Sequence, residues 1–291
     1  MRPRLMYDDL VDGGFYTHAQ TNPIAWAFID SIANEVFEEI LRSAVVFRFD
    51  SQDLLFDSFK YPGSPRNFPN AKPPYNTIWC EYKASRIVGE IVRPDADYHP
   101  LWNGTRQFAC LIQSYENRNE CILFTKDRKG LINPMFCDYR YEIDGDGEIV
   151  NDNFAMGRHC TIRDIDWDDE LRSNVGNAEV IWTSVCIAPA LFGLSLMNCA
   201  NVSTVERHPG KTETKKAKRN GVPVGVVYRE LLIPAPRRDQ GNGGPGHTKQ
   251  RLHLVRGHFK RRKTGTFWWS AFARGDANVG VVDKTYTTVK Q

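Results

Sequence analysis

An uncharged stretch at residues 180–205 constrains the fold of this 291-residue chain more than any other feature. Length alone would allow its apolar part, residues 180–197, to cross a membrane, because about 20 apolar residues suffice. Polar residues such as Thr183 interrupt this part, and neither a second apolar run nor a polybasic segment adjoins it. We therefore expect a buried central helix, bent or restarted at Pro189, that has no contact with a membrane.

Strand-like segments fill the middle of the chain. Segments rich in β-branched and aromatic residues alternate with turn residues and lie at about 77–82, 86–92, 107–114, 120–125, 135–143 and 148–150. Residues 144–147 read Asp-Gly-Asp-Gly, which predicts a hairpin turn rather than a calcium loop, since the glycine and glutamate of such a loop are missing. Earlier, Asn22 and Pro23 form a helix start before an amphipathic helix. We expect antiparallel β-structure in this region.

The C-terminal part is predicted to be a helix followed by four strands. The apolar run precedes a strand at 224–233, two hairpin strands within 250–269 and a last strand at 284–289. Short connections favour an antiparallel sheet backed by the helix. The predicted fold class is therefore α+β, with antiparallel sheets, a buried apolar helix and a C-terminal helix plus four-stranded antiparallel sheet.

Charge is distributed unevenly along the chain. Residues 204–291 contain 19 basic and 6 acidic residues, whereas residues 1–203 contain 19 basic and 29 acidic ones. Such asymmetry indicates a nucleic-acid contact confined to the basic part, or an acidic part that folds against the basic part and neutralises it. We divide the chain into an acidic α+β domain at 1–174 and a basic helix-plus-antiparallel-sheet domain at 175–291. One continuous domain remains the alternative.

The cysteines and acidic motifs predict neither a metal site nor a cofactor. None of the seven cysteines forms a Cys-x-x-Cys pair, which is typical of buried free thiols in a reducing compartment. The acidic run at 164–170 has the composition of a solvated loop, and the glycines at 241–246 lack the Gly-Lys-Ser/Thr ending of a phosphate loop. The N-terminus lacks the apolar core of a signal peptide, so we expect a cytoplasmic protein.

A basic segment followed by aromatic residues predicts the functional site. Residues 250–263 and 265–269 read as a hairpin that turns at Lys263-Thr264-Gly265. Alternate residues of a strand point to one face about 7 Å apart, which gives a row of cations with one histidine between them. Such a row suits the phosphates of a nucleic acid. The predicted contacts are Arg256, Lys260, Arg262, Lys263, Trp268 and Arg274.

The C-terminal third resembles uncharacterised proteins of phages and prophages. The resemblance is clearest in Arg-Gly-His-Phe-Lys at 256–260. It includes Leu-Ser-Leu-Met-Asn-Cys-Ala-Asn-Val at 194–202, Gly-Thr-Phe-Trp-Trp at 265–269 and Arg-Gly at 274–275. It implies a phage context, and with it a location in the host cytoplasm, but no particular activity.

The predicted helix and four-stranded sheet are also similar to the architecture of RelE and barnase-like ribonucleases, an analogy at the level of the fold. In such an enzyme His258 would be the acid or base, with Arg256 beside the phosphate. The leading hypothesis is a phage-type accessory protein that binds RNA or DNA through the basic hairpin. A metal-independent endoribonuclease and a protein-binding inhibitor of a host defence factor are the alternatives. The sequence leaves the oligomeric state open.

Overall fold

The computed structural model describes residues 6–8, 34–49, 65–83, 107–126, 132–134, 137–156, 183, 186–220, 227–234 and 250–281. Of these residues 52% lie in strands and 22% in helices. The helices are α1 (Asn34–Ser43), α2 (186–197) and α3 (Lys211–Arg219), together with helical turns at 6–8 and at Pro65–Asn67. The strands are β1 (Val45–Arg48), β2 (Thr77–Lys83), β3 (Gln107–Tyr115), β4 (Arg118–Lys126), β5 (Ile132–Pro134), β6 (Cys137–Ile143), β7 (Ile149–Met156), β8 (Ser203–Arg207), β9 (Tyr228–Leu232), β10 (Arg251–Val255), β11 (His258–Arg262), β12 (Gly265–Trp269), β13 (Phe272–Arg274) and β14 (Asp276–Val281).

One large mixed sheet organises the described part of the molecule. Its strands follow the order β7-β6-β4-β3-β2-β1-β9-β8, and the short β5 pairs with β4. Strand β1 is parallel to both β2 and β9, while the pairs from β2 through β7 are antiparallel. The predicted segments at 77–82, 107–114, 120–125, 135–143 and 148–150 coincide with five of these strands. The predicted strands at 86–92 and 284–289 and the helix start at Asn22 lie outside the described residues.

The turn between β6 and β7 shows how local sequence sets one hairpin of this sheet. The Asp144 carboxylate accepts hydrogen bonds from the backbone N–H groups of Asp146 and Glu148, each at 2.9 Å. Gly147 adopts a φ of 81°, which glycine tolerates without strain. The Asp-Gly-Asp-Gly motif therefore forms a turn stabilised by its own aspartate.

The predicted α+β class, with antiparallel sheets and a C-terminal helix plus four-stranded sheet, is wrong, because the described part is mostly β and its large sheet is mixed. Strand β9 lies parallel to β1, with Phe47 opposite Arg229, and antiparallel to β8, so it extends the large sheet. The basic hairpin, β11 and β12, forms a separate two-stranded sheet, and β10 pairs with β13 and β14. A strand pairs with the sheet edge that lies beside it in the folded protein and that lets its apolar side chains face the core. The distance between two strands along the sequence does not decide which strands pair. The large sheet joins strands from both sides of residue 174, and the division into two domains stays a prediction.

Helix α2 covers one face of the sheet with apolar side chains. Residues 186–196 are all buried, and the glycine among them packs directly against Phe49, just after the end of β1. A Cβ atom added to Gly193 would lie 2.3 Å from Cε2 of Phe49, so only glycine allows this close approach. Among the helices that the structure describes, none is both long and apolar enough to cross a membrane.

The opposite face of the sheet is covered by the N-terminal turn at 6–8. Met6 and Tyr7 pack there with Leu41, Trp79 and Phe124 in a second apolar cluster. Alternate residues of β2 therefore pack in the two clusters on opposite faces of the sheet, because successive side chains of a strand point to opposite faces.

Five cysteines in the described part of the chain are buried free thiols: Cys80, Cys110, Cys121, Cys186 and Cys199.

Candidate nucleic-acid interface

The basic hairpin has one apolar face and one cationic face. Its register pairs His258 with Trp269, Phe259 with Trp268, and Lys260 with Phe267. Side chains directly opposite each other in an antiparallel pair point to the same face. The cationic face therefore consists of His258, Lys260, Arg262, Phe267 and Trp269, and the apolar face contains Phe259 and Trp268.

The apolar face packs on helix α2. The ring centroid of Phe192 lies 5.2 Å from that of Trp268 and 5.6 Å from that of Phe259, and all three rings meet edge to face. Trp268 is 1% exposed. Burial of this tryptophan ties the hairpin to the main core and leaves the other face of the hairpin outward.

Polar contacts fix both strands of the hairpin. Next to β12, the Asn201 amide bonds both backbone groups of Trp268, and the backbone N–H of Ala200 donates to the Thr266 carbonyl at 2.8 Å. On β11, Arg261 forms an ion pair with Glu148 in the β6–β7 turn. The hairpin is therefore held at a defined position rather than attached only through its ends.

Cations and aromatic rings alternate across the cationic face. The Lys260 Nζ atom lies 4.5 Å from the centroid of the Trp269 ring, and the Arg262 guanidinium lies 5.6 Å from the Phe267 ring and 5.9 Å from the Trp269 ring. His258, Lys260 and Arg262 are exposed, whereas the two aromatic side chains are partly buried beneath them. Cation–π contacts of this kind hold long basic side chains in a preferred position without neutralising their charge.

His258 lies at the start of this face. Its ring centroid is 5.8 Å from that of Trp269, and its Nδ1 atom is 3.2 Å from the carbonyl oxygen of Arg256. A carbonyl oxygen only accepts, so Nδ1 carries the hydrogen in this contact, and a neutral ring then has its lone pair on Nε2.

The predicted site residues do not all meet on this face. Lys260 and Arg262 lie on it, and Lys263 is exposed in the adjoining turn. Arg256 is exposed but lies in the break between β10 and β11, because residues 250–263 form two strands of different sheets rather than one. Arg274 is exposed on β13, opposite His253 of β10.

The predicted contact between Trp268 and nucleic acid disagrees with the structure. Trp268 lies in the core, and its neighbour Trp269 lies on the cationic face with Phe267. The sequence contained a signal that could have shown this. With the turn between Arg262 and Gly265, Lys260 lies opposite Phe267 and His258 lies opposite Trp269, so Trp269 shares the face of the cations. Only one of two adjacent tryptophans can point outward.

A second polar surface is a weaker candidate for a binding site. An open groove of about 320 Å³ lies across the outer part of the large sheet and is lined by residues such as Asn151 and Asn153. Its cations already have carboxylate partners, since Arg118 pairs with Glu120 and Arg140 lies 3.8 Å from Asp138. Locally balanced charge attracts a charged ligand less than the unbalanced charge of the hairpin does.

The described side chains include no group of three His, Cys, Asp or Glu residues that could hold a metal ion. Comparison with protein-family models, with curated proteins and with solved structures finds no match to this chain. The phage context therefore stays a prediction.

Proposed function

We propose that this protein binds nucleic acid through the cationic face of the β11–β12 hairpin. The observation that carries the proposal is the arrangement of Lys260 and Arg262, which alternate along one exposed strand and rest on aromatic rings. RNA and DNA both supply the repeated phosphates that such a row of cations attracts.

The charges around the hairpin support this proposal. Within the described residues, the ion pair of the hairpin uses Arg261, whereas Lys260 and Arg262 contact aromatic rings. Like charges held on one face repel each other, and a polyanion that binds there relieves the repulsion. The excess of basic residues over 204–291 adds a longer-range attraction that speeds the encounter.

The test is salt-dependent binding of fluorescently labelled oligonucleotides. Replacing Lys260 and Arg262 by Ala should weaken binding and flatten the plot of log affinity against log salt. The flattening should be about 0.9 per lost contact on duplex DNA and about 0.7 on single strands. Adding Arg256→Ala tests whether this residue, which lies between β10 and β11, is a third contact.

Lys215→Ala with Lys216→Ala is the matched control, because it also removes two exposed cations, but from α3. An equal loss in both double variants would show that net charge rather than the hairpin controls binding. Absence of any binding at low salt would overturn the proposal, and binding to a host protein instead would support the inhibitor hypothesis.

Cleavage of RNA is the second candidate function, favoured by the contact between His258 Nδ1 and the Arg256 carbonyl. A neutral imidazole held in this way has Nε2 available as a base for a ribose 2′-hydroxyl. Such activity should persist in EDTA and produce a 2′,3′-cyclic phosphate. His258→Ala should lose about 10²-fold or more in rate while retaining RNA affinity. Intact RNA after incubation with the wild type would leave binding as the function.

A further inference from the structure

We infer that the cationic face selects single-stranded over duplex nucleic acid, with a base stacked on Trp269 and the adjoining phosphates held by Lys260 and Arg262. This inference rests on the proposed function and adds the form of nucleic acid that the site takes. It covers RNA and DNA, because both present the same flat bases and phosphates.

Trp269 has the placement that a stacking platform requires. Its backbone is held in place by two neighbours. Trp268, the preceding residue, is buried in the core, and His258 is the cross-strand partner of Trp269 in the hairpin. Its side chain shares the outward face with Phe267, two residues earlier. Proteins that bind single strands without sequence preference combine such aromatic side chains with nearby cations.

Lys260 covers the ring of Trp269 in the free protein, with its ammonium 4.5 Å from the ring centroid. The ammonium is carried on a flexible four-carbon stem and can leave the ring without any change in the backbone. An incoming base would take its place on the ring, and the displaced ammonium would bind the phosphate beside that base. The exchange is favourable because stacking of a base is worth more than an exposed cation–π contact.

A duplex cannot use the aromatic part of this face. Its bases are stacked on each other, so it presents phosphates to Lys260 and Arg262 but no base to Trp269. A two-stranded ribbon is able to enter the major groove, where polar side chains read the edges of the bases. Here the residues that share the face with the cations are the aromatic Phe267 and Trp269 of β12. Their rings suit the flat surface of a base better than its polar edge.

The experiment compares Trp269→Ala with the Lys260→Ala/Arg262→Ala double variant on single strands and on duplexes of about 12 nucleotides, a length within the range of such sites. DNA and RNA of one sequence are used to distinguish the two sources of the ligand. Trp269→Ala should lower the affinity for single strands about 5- to 150-fold, leave the salt slope unchanged and barely alter duplex binding. The double variant should flatten the salt slope on both forms.

Tyr115→Ala is the control, since Tyr115 is 52% exposed at the end of β3 and its removal should change neither affinity. Trp269→Phe keeps a flat ring and should restore part of the affinity, which loss of structure would not allow. Equal losses on single strands and duplexes, or no loss in Trp269→Ala, would overturn the single-strand inference. The proposed function would survive either result if the double variant still weakened binding, and it would fail if the double variant bound like the wild type.

Discussion

The side-chain amide of Asn201 bonds both backbone polar groups of Trp268. Trp268 donates its N–H to Asn201 Oδ1 at 2.9 Å, and Asn201 Nδ2 donates to the Trp268 carbonyl at 2.8 Å. One side chain therefore supplies hydrogen-bond partners to the N–H and the carbonyl at this edge of β12, as a neighbouring strand would. An isolated two-stranded hairpin is marginal in water, so this contact and the packing on Phe192 together determine where the cationic face lies.

Replacing Asn201 by Ala should destabilise the protein by about 1–3 kcal/mol, because both Trp268 backbone groups lose a partner in a partly buried place. Asn201→Asp should also destabilise it, since its carboxylate would face the Trp268 carbonyl. Urea unfolding provides the measurement, with Asn153→Ala on the exposed side of β7 as the control. Equal stability of Asn201→Ala and the control would show that the amide contact does not hold the hairpin.

Gly257 leaves the space that the buried indole of Trp268 occupies. A Cβ atom at this position would lie 2.5 Å from Cζ2 and 2.7 Å from Cη2 of that ring. Gly257→Ala should therefore cost about 1–3 kcal/mol of unfolding free energy, as overpacking does. Gly145→Ala is the matched control, because no atom lies within 4 Å of its added Cβ.

A double-mutant cycle tests the cause of this destabilisation. In a Trp268→Phe background the smaller ring lacks the two crowded atoms, so Gly257→Ala should cost less there than in the wild type. An equal cost in both backgrounds would assign the effect to the backbone rather than to the indole.

Glu81 is a buried carboxylate that connects the N-terminal turn to the sheet. It accepts hydrogen bonds from the backbone N–H groups of Met6 and Tyr7 and from the side chains of Trp79 and Gln107, at 2.6 to 3.0 Å. Glu81→Gln would place N–H donors against these donors, and it should lower the unfolding free energy by about 1–3 kcal/mol or more. Glu142→Gln, at an exposed position of β6, is the control.

The stability that Glu81 contributes should depend on pH. Burial raises the pKa of this carboxyl above its ordinary value, although the four hydrogen bonds oppose the rise. A folded-state pKa above the unfolded one makes the contribution complete below the unfolded pKa and smaller as pH rises through the folded one. The stability difference between the wild type and Glu81→Gln should therefore shrink as pH rises above the ordinary glutamate range. A difference that grows with pH would mean that the hydrogen bonds outweigh burial.

The buried thiols should react slowly in the native protein. Burial raises the pKa of Cys199 to about 12, and it also raises the pKa of Cys80, Cys110 and Cys121. The thiolate is the reactive form, so these four positions and the buried Cys186 should resist a disulfide reagent at neutral pH. A titration of the reduced protein should show at most two of its seven cysteines reacting rapidly, and all seven after unfolding. More than two rapid reactions in the native state would contradict the packing around α2 and the sheet.

Local sequence predicted several elements of the fold because the forces that form them act over a few residues. Aspartate and glycine at 144–147 determine a turn, and the apolar alternation on either side of it specifies two antiparallel strands. The uncharged run predicted a helix in the interior, and its described residues 186–197 are helical and nearly all buried. Two exposed cations of the candidate site, Lys260 and Arg262, followed from the same alternation.

The error in the predicted fold class arose where partners are distant in the chain. Phe47 and Arg229 lie opposite each other in a parallel pair, and nothing near either residue specifies the other. Residues 251–262 read as one continuous strand, yet the structure divides them into β10 and β11 at 256–257, where Gly257 packs against the ring of Trp268.

By its own pattern, the sequence determined a basic hairpin with cations on alternate positions, a buried apolar helix and a turn built from aspartate and glycine. Only the tertiary structure decided which tryptophan is buried, since Trp268 and Trp269 are equally apolar and differ only in the face that meets Phe192. Packing on α2 and the bonds from Asn201 select that face. Burial is a property of the surface that a residue meets, and that surface is supplied by elements far away in the chain.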